Sequence, residues 1–159
     1  MSENGLHTCC FFGHRKICET EELRERLCAV IEILILKRGV DTFLFGSKSR
    51  FNDLCHELVT VMKQSHPHIK RVYVRAEFPV IHDDYKAYLL ESYEDTYYPA
   101  HILNAHKAVY VERNCEMIRN SAYCIVYYDA ANVPDTRPSG TKIALDYATK
   151  QKKEVFLFP

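Results

Sequence analysis

The chain has 159 residues, the size of one domain that can bury a full core, and its 47% hydrophobic and 26% charged content is ordinary for a globular protein. Lys plus Arg (21) balance Asp plus Glu (21), so the formal net charge is zero. That balance disfavours a general nucleic-acid or membrane-surface binder, makes any anion site a local one, and favours self-association.

The first residues are polar and no apolar run follows a basic start, so no secretory leader is read. Ile31-Glu-Ile-Leu-Ile-Leu36 is too short to span a bilayer. The seven cysteines are an odd number with no Cys-x-x-Cys pair. They read as buried free thiols in a reducing, cytoplasmic setting, with Cys9, Cys10 and Cys124 inside strands.

The first strand is read at His7 to Phe12. A helix follows over Glu21 to Arg38, with Thr20 as N-cap, Glu21 and Glu22 at its positive end and Gly39 as its stop. Leu23, Leu27, Val30, Ile31 and Leu34 share one face, and Ile33, Ile35 and Leu36 imply burial on a second side. The second strand is Thr42 to Phe45. The second helix runs from Arg50 to Gln64, its core face being Phe51, Leu54, Cys55, Leu58, Val61 and Met62. The third strand alternates from Arg71 to Phe78, with Tyr73, Arg75 and Glu77 on one face.

Residues 80–112 are the least regular. Tyr85, Tyr88 and Leu89 fit a helix, Tyr93, Tyr97 and Tyr98 a loop or lid, and Ala108 to Val111 a short extra strand. A helix from Asn114 to Asn120 leads to a fourth main strand at Tyr123 to Asp129. Residues 130–138 read as a mobile loop with two prolines. A helix from Thr141 to Lys152 buries Ile143, Ala144, Tyr147 and Ala148. Glu154 to Phe158 forms the fifth strand.

Strands joined by helices of this length need crossovers. The pattern is one α/β domain over 1–159: a Rossmann-like three-layer sandwich, with a mainly parallel five-stranded sheet covered on both faces. Ligands of such sheets sit beyond the carboxyl ends of the strands. Three small-residue junctions fall at those ends: Gly13-His14-Arg15, Gly46-Ser47-Lys48-Ser49 and Ser139-Gly140-Thr141. Bare backbone N–H groups at a helix start attract an anion, most often a phosphate. Three converging junctions point to one cleft for a phosphorylated small molecule.

Each candidate also has a plainer reading. Ser139 and Thr141 are good helix caps, and Gly13-His14-Arg15 can be a tight turn. The ligand reading is preferred for these loops, with Arg15 as a clamp and Lys48 or Arg50 as auxiliary charge. Arg75 and Glu77 read first as a structural ion pair with Arg113 or Lys107. In the functional reading, Glu77 meets a ribose hydroxyl or acts as a general base. The tyrosines at 93, 97 and 98 can stack on a base but fit local packing better. His66, His68, His7, Cys9 and Cys10 lack metal-ligand spacing, so neither a metal nor a cofactor is expected.

The ordered motifs Phe12-Gly-His-Arg15, Phe43-Leu-Phe-Gly-Ser47, Val72 to Phe78, Asn120-Ser-Ala through Asp129 and Ser139-Gly-Thr141-x-x-Ala144-x-x-Tyr147-Ala148 resemble the SLOG superfamily, above all its YpsA-like members. The resemblance implies a nucleotide or nucleotide-derived ligand, such as an NAD-derived or cyclic one, held on the Gly140-Thr141 loop by a sensor or sequestering module. The related Lonely Guy phosphoribohydrolases carry Pro-Gly-Gly-x-Gly-Thr-x-x-Glu. Here Ala144 stands at the position of the final glutamate, which argues against hydrolysis of a nucleoside monophosphate.

The binding residues expected are therefore Gly13, His14, Arg15, Gly46, Ser47, Arg75, Ser139, Gly140 and Thr141, with Glu77 as catalytic candidate should the protein be a hydrolase. A homo-oligomer, dimer or tetramer, is expected. Single-stranded DNA binding, by analogy with related recombination mediators, is a further alternative that the charge balance disfavours.

Overall fold

The computed structural model describes residues 5–102, 108–132 and 139–159. Lys107 and most of the expected 130–138 loop lie outside them. The strands are β1 (Thr8–Gly13), β2 (Thr42–Phe45), β3 (Lys70–Val74), β4 (Asp95–Tyr97), β5 (Tyr123–Tyr127) and β6 (Glu154–Phe158). The helices are α1 (Glu21–Arg38), α2 (Arg50–Ser65), α3 (Asp83–Leu89), α4 (Ala108–Arg119) and α5 (Gly140–Lys150). The sheet order is β4-β3-β2-β1-β5-β6, and every pairing is parallel. The sheet has six strands where five were expected.

The core is split by the sheet. On one face α1 and α2 bury Leu27, Ile31, Leu34, Phe51 and Leu54 against Phe11, Phe43 and Phe45. On the other, Met117 and Ile118 of α4 and Ala144 and Ala148 of α5 meet Phe12, Leu44, Val74 and Val126. Continuous apolar runs such as Cys-Cys-Phe-Phe in β1 follow from burial on both faces.

Capping sets the helix starts. Thr20 Oγ1 accepts the Leu23 N–H at 3.1 Å, Ser49 Oγ the Asn52 N–H at 3.1 Å, and Ser139 Oγ the Lys142 N–H at 3.1 Å. Each such cap is worth about 1 kcal/mol. Gly39 closes α1 at φ +69°, a left-handed turn suited to glycine.

The departures from expectation have local causes. Ile33 and Leu36 of α1 are half exposed, so its outer side stays in solvent. Val61 of α2 and Ile143 of α5 are also exposed, and Val59 and Thr141 take the inward positions. β3 ends at Val74, so Arg75 and Glu77 lie beyond the strand. Residues 108–111 are the first turn of α4, not a strand, and run on without a break into the helix expected at Asn114. The Tyr97 region is not a lid: Asp95–Tyr97 pairs with Val72–Val74 as an edge strand.

Candidate ligand-binding site

The chain leaves β1 toward one sheet edge through β2, β3 and β4, then crosses back to place β5 and β6 on the far side. The strand order therefore reverses between β1 and β5, where open α/β sheets hold their ligands. A cavity of about 730 Å³ opens there, beyond the carboxyl ends of β1, β2 and β3 and the start of α5.

Gly13, His14, Arg15, Gly46, Ser47 and Arg75 line it, as do Glu77 and the run Ser139 to Thr141. The structure thus brings the expected binding residues and Glu77 to one cavity, while Arg50, Tyr93, Tyr97 and Tyr98 lie outside its lining. It also adds residues outside the expected binding set. Tyr73, Tyr85 and Tyr110 form aromatic wall, and Arg113 and Asn114 of α4 complete it. Tyr73 was legible, because alternation in β3 puts it on the face that carries Arg75 and Glu77. Tyr85 and Tyr110 carried no such pattern.

The three junctions are not equivalent. After β1, α1 does not begin until Glu21, so Gly13 opens a loop and not a helix. After β2, the Arg50 N–H of α2 donates to the Arg15 carbonyl at 3.1 Å and the Asn52 N–H is held by Ser49. At α5 the Ser139 hydroxyl takes the Lys142 N–H, and Gly140 and Thr141 supply the first-turn amides, which lack partners within the helix. Of the three junctions, only the α5 start therefore presents first-turn helix amides to the cavity.

The glycines also differ. A Cβ at Gly13 would lie 2.3 Å from Phe51 Cδ2 and 2.4 Å from Phe51 Cβ. One at Gly46 would lie 2.9 Å from both Arg113 Cδ and Met117 Sδ. A Cβ at Gly140 meets nothing within 4 Å among the described residues. Packing under the cavity thus requires the first two glycines.

The cations divide in the same way. Arg113 is buried and donates to the Gly46 carbonyl at 2.8 Å and to Asn114 Oδ1 at 2.9 Å. Burial pulls its pKa down, and its bonds to the Gly46 carbonyl and Asn114 make it a support of the fold. Arg75, also buried, donates to the Phe78 carbonyl and to Thr96 Oγ1, both at 3.0 Å, and shapes the turn after β3. Arg50 is held by Glu19 at 2.7 Å and Glu57 at 2.9 Å, which removes it as auxiliary charge. Arg15 and Lys48 are exposed and form no ion pair among the described residues.

The expected ion pair of Glu77 with Arg113 does not form among the described residues. The Tyr110 hydroxyl donates to Glu77 Oε1 instead. His14 Nε2 accepts the Asp129 N–H at 2.9 Å, which puts the proton of the neutral ring on Nδ1. Burial lowers the His14 pKa, against an opposing pull from the Asp129 carboxylate.

A second cavity of about 660 Å³ adjoins the first and shares Arg15, Ser47, Lys48, Ser49, Tyr73 and Tyr85 with it. Ser47 and Asn52 line it, and their Oγ and Oδ1 are buried without a hydrogen-bond partner among the described residues. Such an unmet polar atom costs about 1–3 kcal/mol. No cluster of metal-ligating side chains occurs among the described residues.

These features define a Rossmann-like α/β protein with a polar cleft at its strand-order switch. No family model matches the sequence, and no curated protein matches it. Among solved structures the chain is similar to DNA processing protein A from Streptococcus pneumoniae, at 15% identity and a TM-score of 0.59 over 96% of this chain and 50% of that one. It is likewise similar to DNA processing protein A from Helicobacter pylori, whose structure concerns a single-stranded DNA binding mode. That match has 15% identity and a TM-score of 0.60, covering 98% of this chain and 66% of that one. The chain thus spans half to about two thirds of these proteins, and the likeness at this identity is one of fold. No helix of the described residues is long and apolar enough to cross a membrane.

Proposed function

We propose that the chain binds a nucleotide through its phosphate in the first cavity. The observation that carries this reading is the meeting of the α5 start with Arg15 and Lys48, two cations without an ion pair among the described residues, in one cleft. A helix N-terminus with nearby Arg and Lys is a phosphate site by charge and by N–H geometry. Gly13, His14, Gly46 and Ser47 form its floor, and Tyr73 and Tyr110 offer aromatic wall for the nucleoside.

Two carriers share that chemistry. One is a free nucleotide-derived molecule, NAD-derived or cyclic, sensed or sequestered by a SLOG-type, YpsA-like module. The zero net charge supports it, because a strand needs a basic track. The other is a nucleotide unit of single-stranded DNA. The fold likeness to DNA processing protein A, studied as a single-stranded DNA binder, supports it. A reducing, cytoplasmic setting agrees with seven cysteines that are all free thiols. Self-association belongs to the same proposal and is read by light scattering.

Calorimetric titration with nucleoside 5′-monophosphates, NAD-derived nucleotides and a single-stranded oligodeoxynucleotide tests the reading and separates the carriers. Binding that weakens about tenfold in Arg15→Ala bears it out. Preference for the oligonucleotide, with affinity falling steeply as salt rises, assigns the strand; tight, weakly salt-dependent binding of a small nucleotide assigns the free ligand. No binding of any of them overturns it.

A further inference from the structure

The second cavity has features that a phosphate site does not need. Its walls are aromatic: Tyr73, Tyr85, Tyr88, Tyr93 and His56 line it. Tyr85 and Tyr88 of α3 stand nearly parallel, with ring centroids 6.4 Å apart and planes 17° apart. Tyr88 is 66% exposed and lines this cavity alone, so packing does not explain its ring. Asp53 is the single carboxylate among the lining residues. Aromatic faces with acceptors match a nucleobase, which offers a π-face and N–H donors. Arg15 and Lys48 line both cavities and so stand where a linker between two units would pass.

We infer that the two cavities form one site for a phosphate-linked pair of nucleosides. The second base is seated against Tyr85 and Tyr88, and the linking phosphate lies at Arg15 and Lys48. The inference rests on the reading of the first cavity as a nucleotide site and deepens it: the ligand is a dinucleotide unit, either free or as two successive residues of a strand.

Titrations with deoxyadenosine 5′-monophosphate, the 5′-phosphorylated deoxyadenosine dinucleotide and a deoxyadenosine pentamer test it. The dinucleotide is expected to bind at least about tenfold more tightly than the monophosphate, the scale of one added stacked base. Tyr88→Ala is expected to remove most of that gain and leave monophosphate affinity unchanged; Tyr88→Phe keeps the gain. A pentamer no tighter than the dinucleotide marks a free ligand, and a pentamer much tighter marks a strand; both uphold the two-unit site. Monophosphate binding with no gain for the dinucleotide overturns the inference and leaves the first cavity's reading standing. A gain that survives both Tyr88→Ala and Tyr85→Ala also overturns it. Failure of all three ligands to bind overturns both readings.

Discussion

Arg113 donates from Nη1 to the carbonyl oxygen of Gly46 at 2.8 Å, and this bond ties α4 to the turn after β2. The guanidinium is buried, and no carboxylate forms an ion pair with it among the described residues. Its work is to satisfy backbone acceptors at the base of the cavity, since a second, longer bond reaches the Val74 carbonyl at 3.4 Å.

Arg113→Met is therefore expected to destabilise the fold by about 1–3 kcal/mol, because those acceptors lose their donor. Relief of the buried charge offsets part of the loss. Gly46→Ala is expected to cost a similar amount, about 1–3 kcal/mol, by pressing on Arg113 and Met117. Urea denaturation of both variants reads the effect.

Gly13 and Gly140 are expected to behave oppositely. In Gly13→Ala the new methyl meets Phe51, a fully buried ring, and the chain loses several kcal/mol or fails to fold. Phe51→Ala does not rescue it, because Phe51 Cβ itself lies 2.4 Å away. Gly140→Ala meets open space at a helix start and leaves stability unchanged or raised by under about 1 kcal/mol. Thermal melts distinguish the two.

Arg15→Ala and Lys48→Ala are each expected to weaken nucleotide binding about tenfold, the worth of one charge-assisted contact. The melting temperature of the free protein should not move, since both side chains are exposed and unpaired among the described residues. Calorimetry and melting curves on the same samples test this.

The neutral His14 ring accepts the Asp129 N–H, and burial holds its pKa below the ordinary 6.5. The folded state thus binds fewer protons here than the unfolded chain. Its stabilising share is fully present above pH 6.5 and is lost as the pH falls through the lowered folded value. The melting temperature is expected to drop more between pH 7.5 and 5 in the wild type than in His14→Gln, which can keep the acceptor without titrating.

Glu77 is an exposed carboxylate that already accepts a hydrogen bond from Tyr110. Nucleoside monophosphates incubated with the protein are expected to be recovered intact by chromatography. Release of free base that stops in Glu77→Gln would make the protein a hydrolase.

The parallel sandwich was legible because its signals are local. Thr20 and Gly39 bound α1 at the residues expected, and the apolar runs of β1, β2 and β5 announce strands buried on both faces. The gathering of residues 13, 46 and 140 at one edge followed from parallel topology alone. β4 was hidden because a three-residue edge strand with polar ends, Asp95-Thr-Tyr97, has no hydrophobic period of its own. The start of α4 was misread because Val-Tyr-Val favours strands, and packing of its later residues Met117 and Ile118 overrides that preference. Arg113 and Arg15 look alike in the sequence; only the depth of each in the fold makes one a support and leaves the other exposed at the cleft.

Gly13 and Gly46 have a consequence for tracing this protein through its descendants. Their smallness answers to Phe51 and to Arg113 beneath the cleft, whatever occupies the cleft above. A lineage that abandoned the ligand would still hold both glycines, while drift would reach Arg15, Lys48 and Tyr88 first. Those three side chains, read across related genomes, are the record of whether the site is still in use.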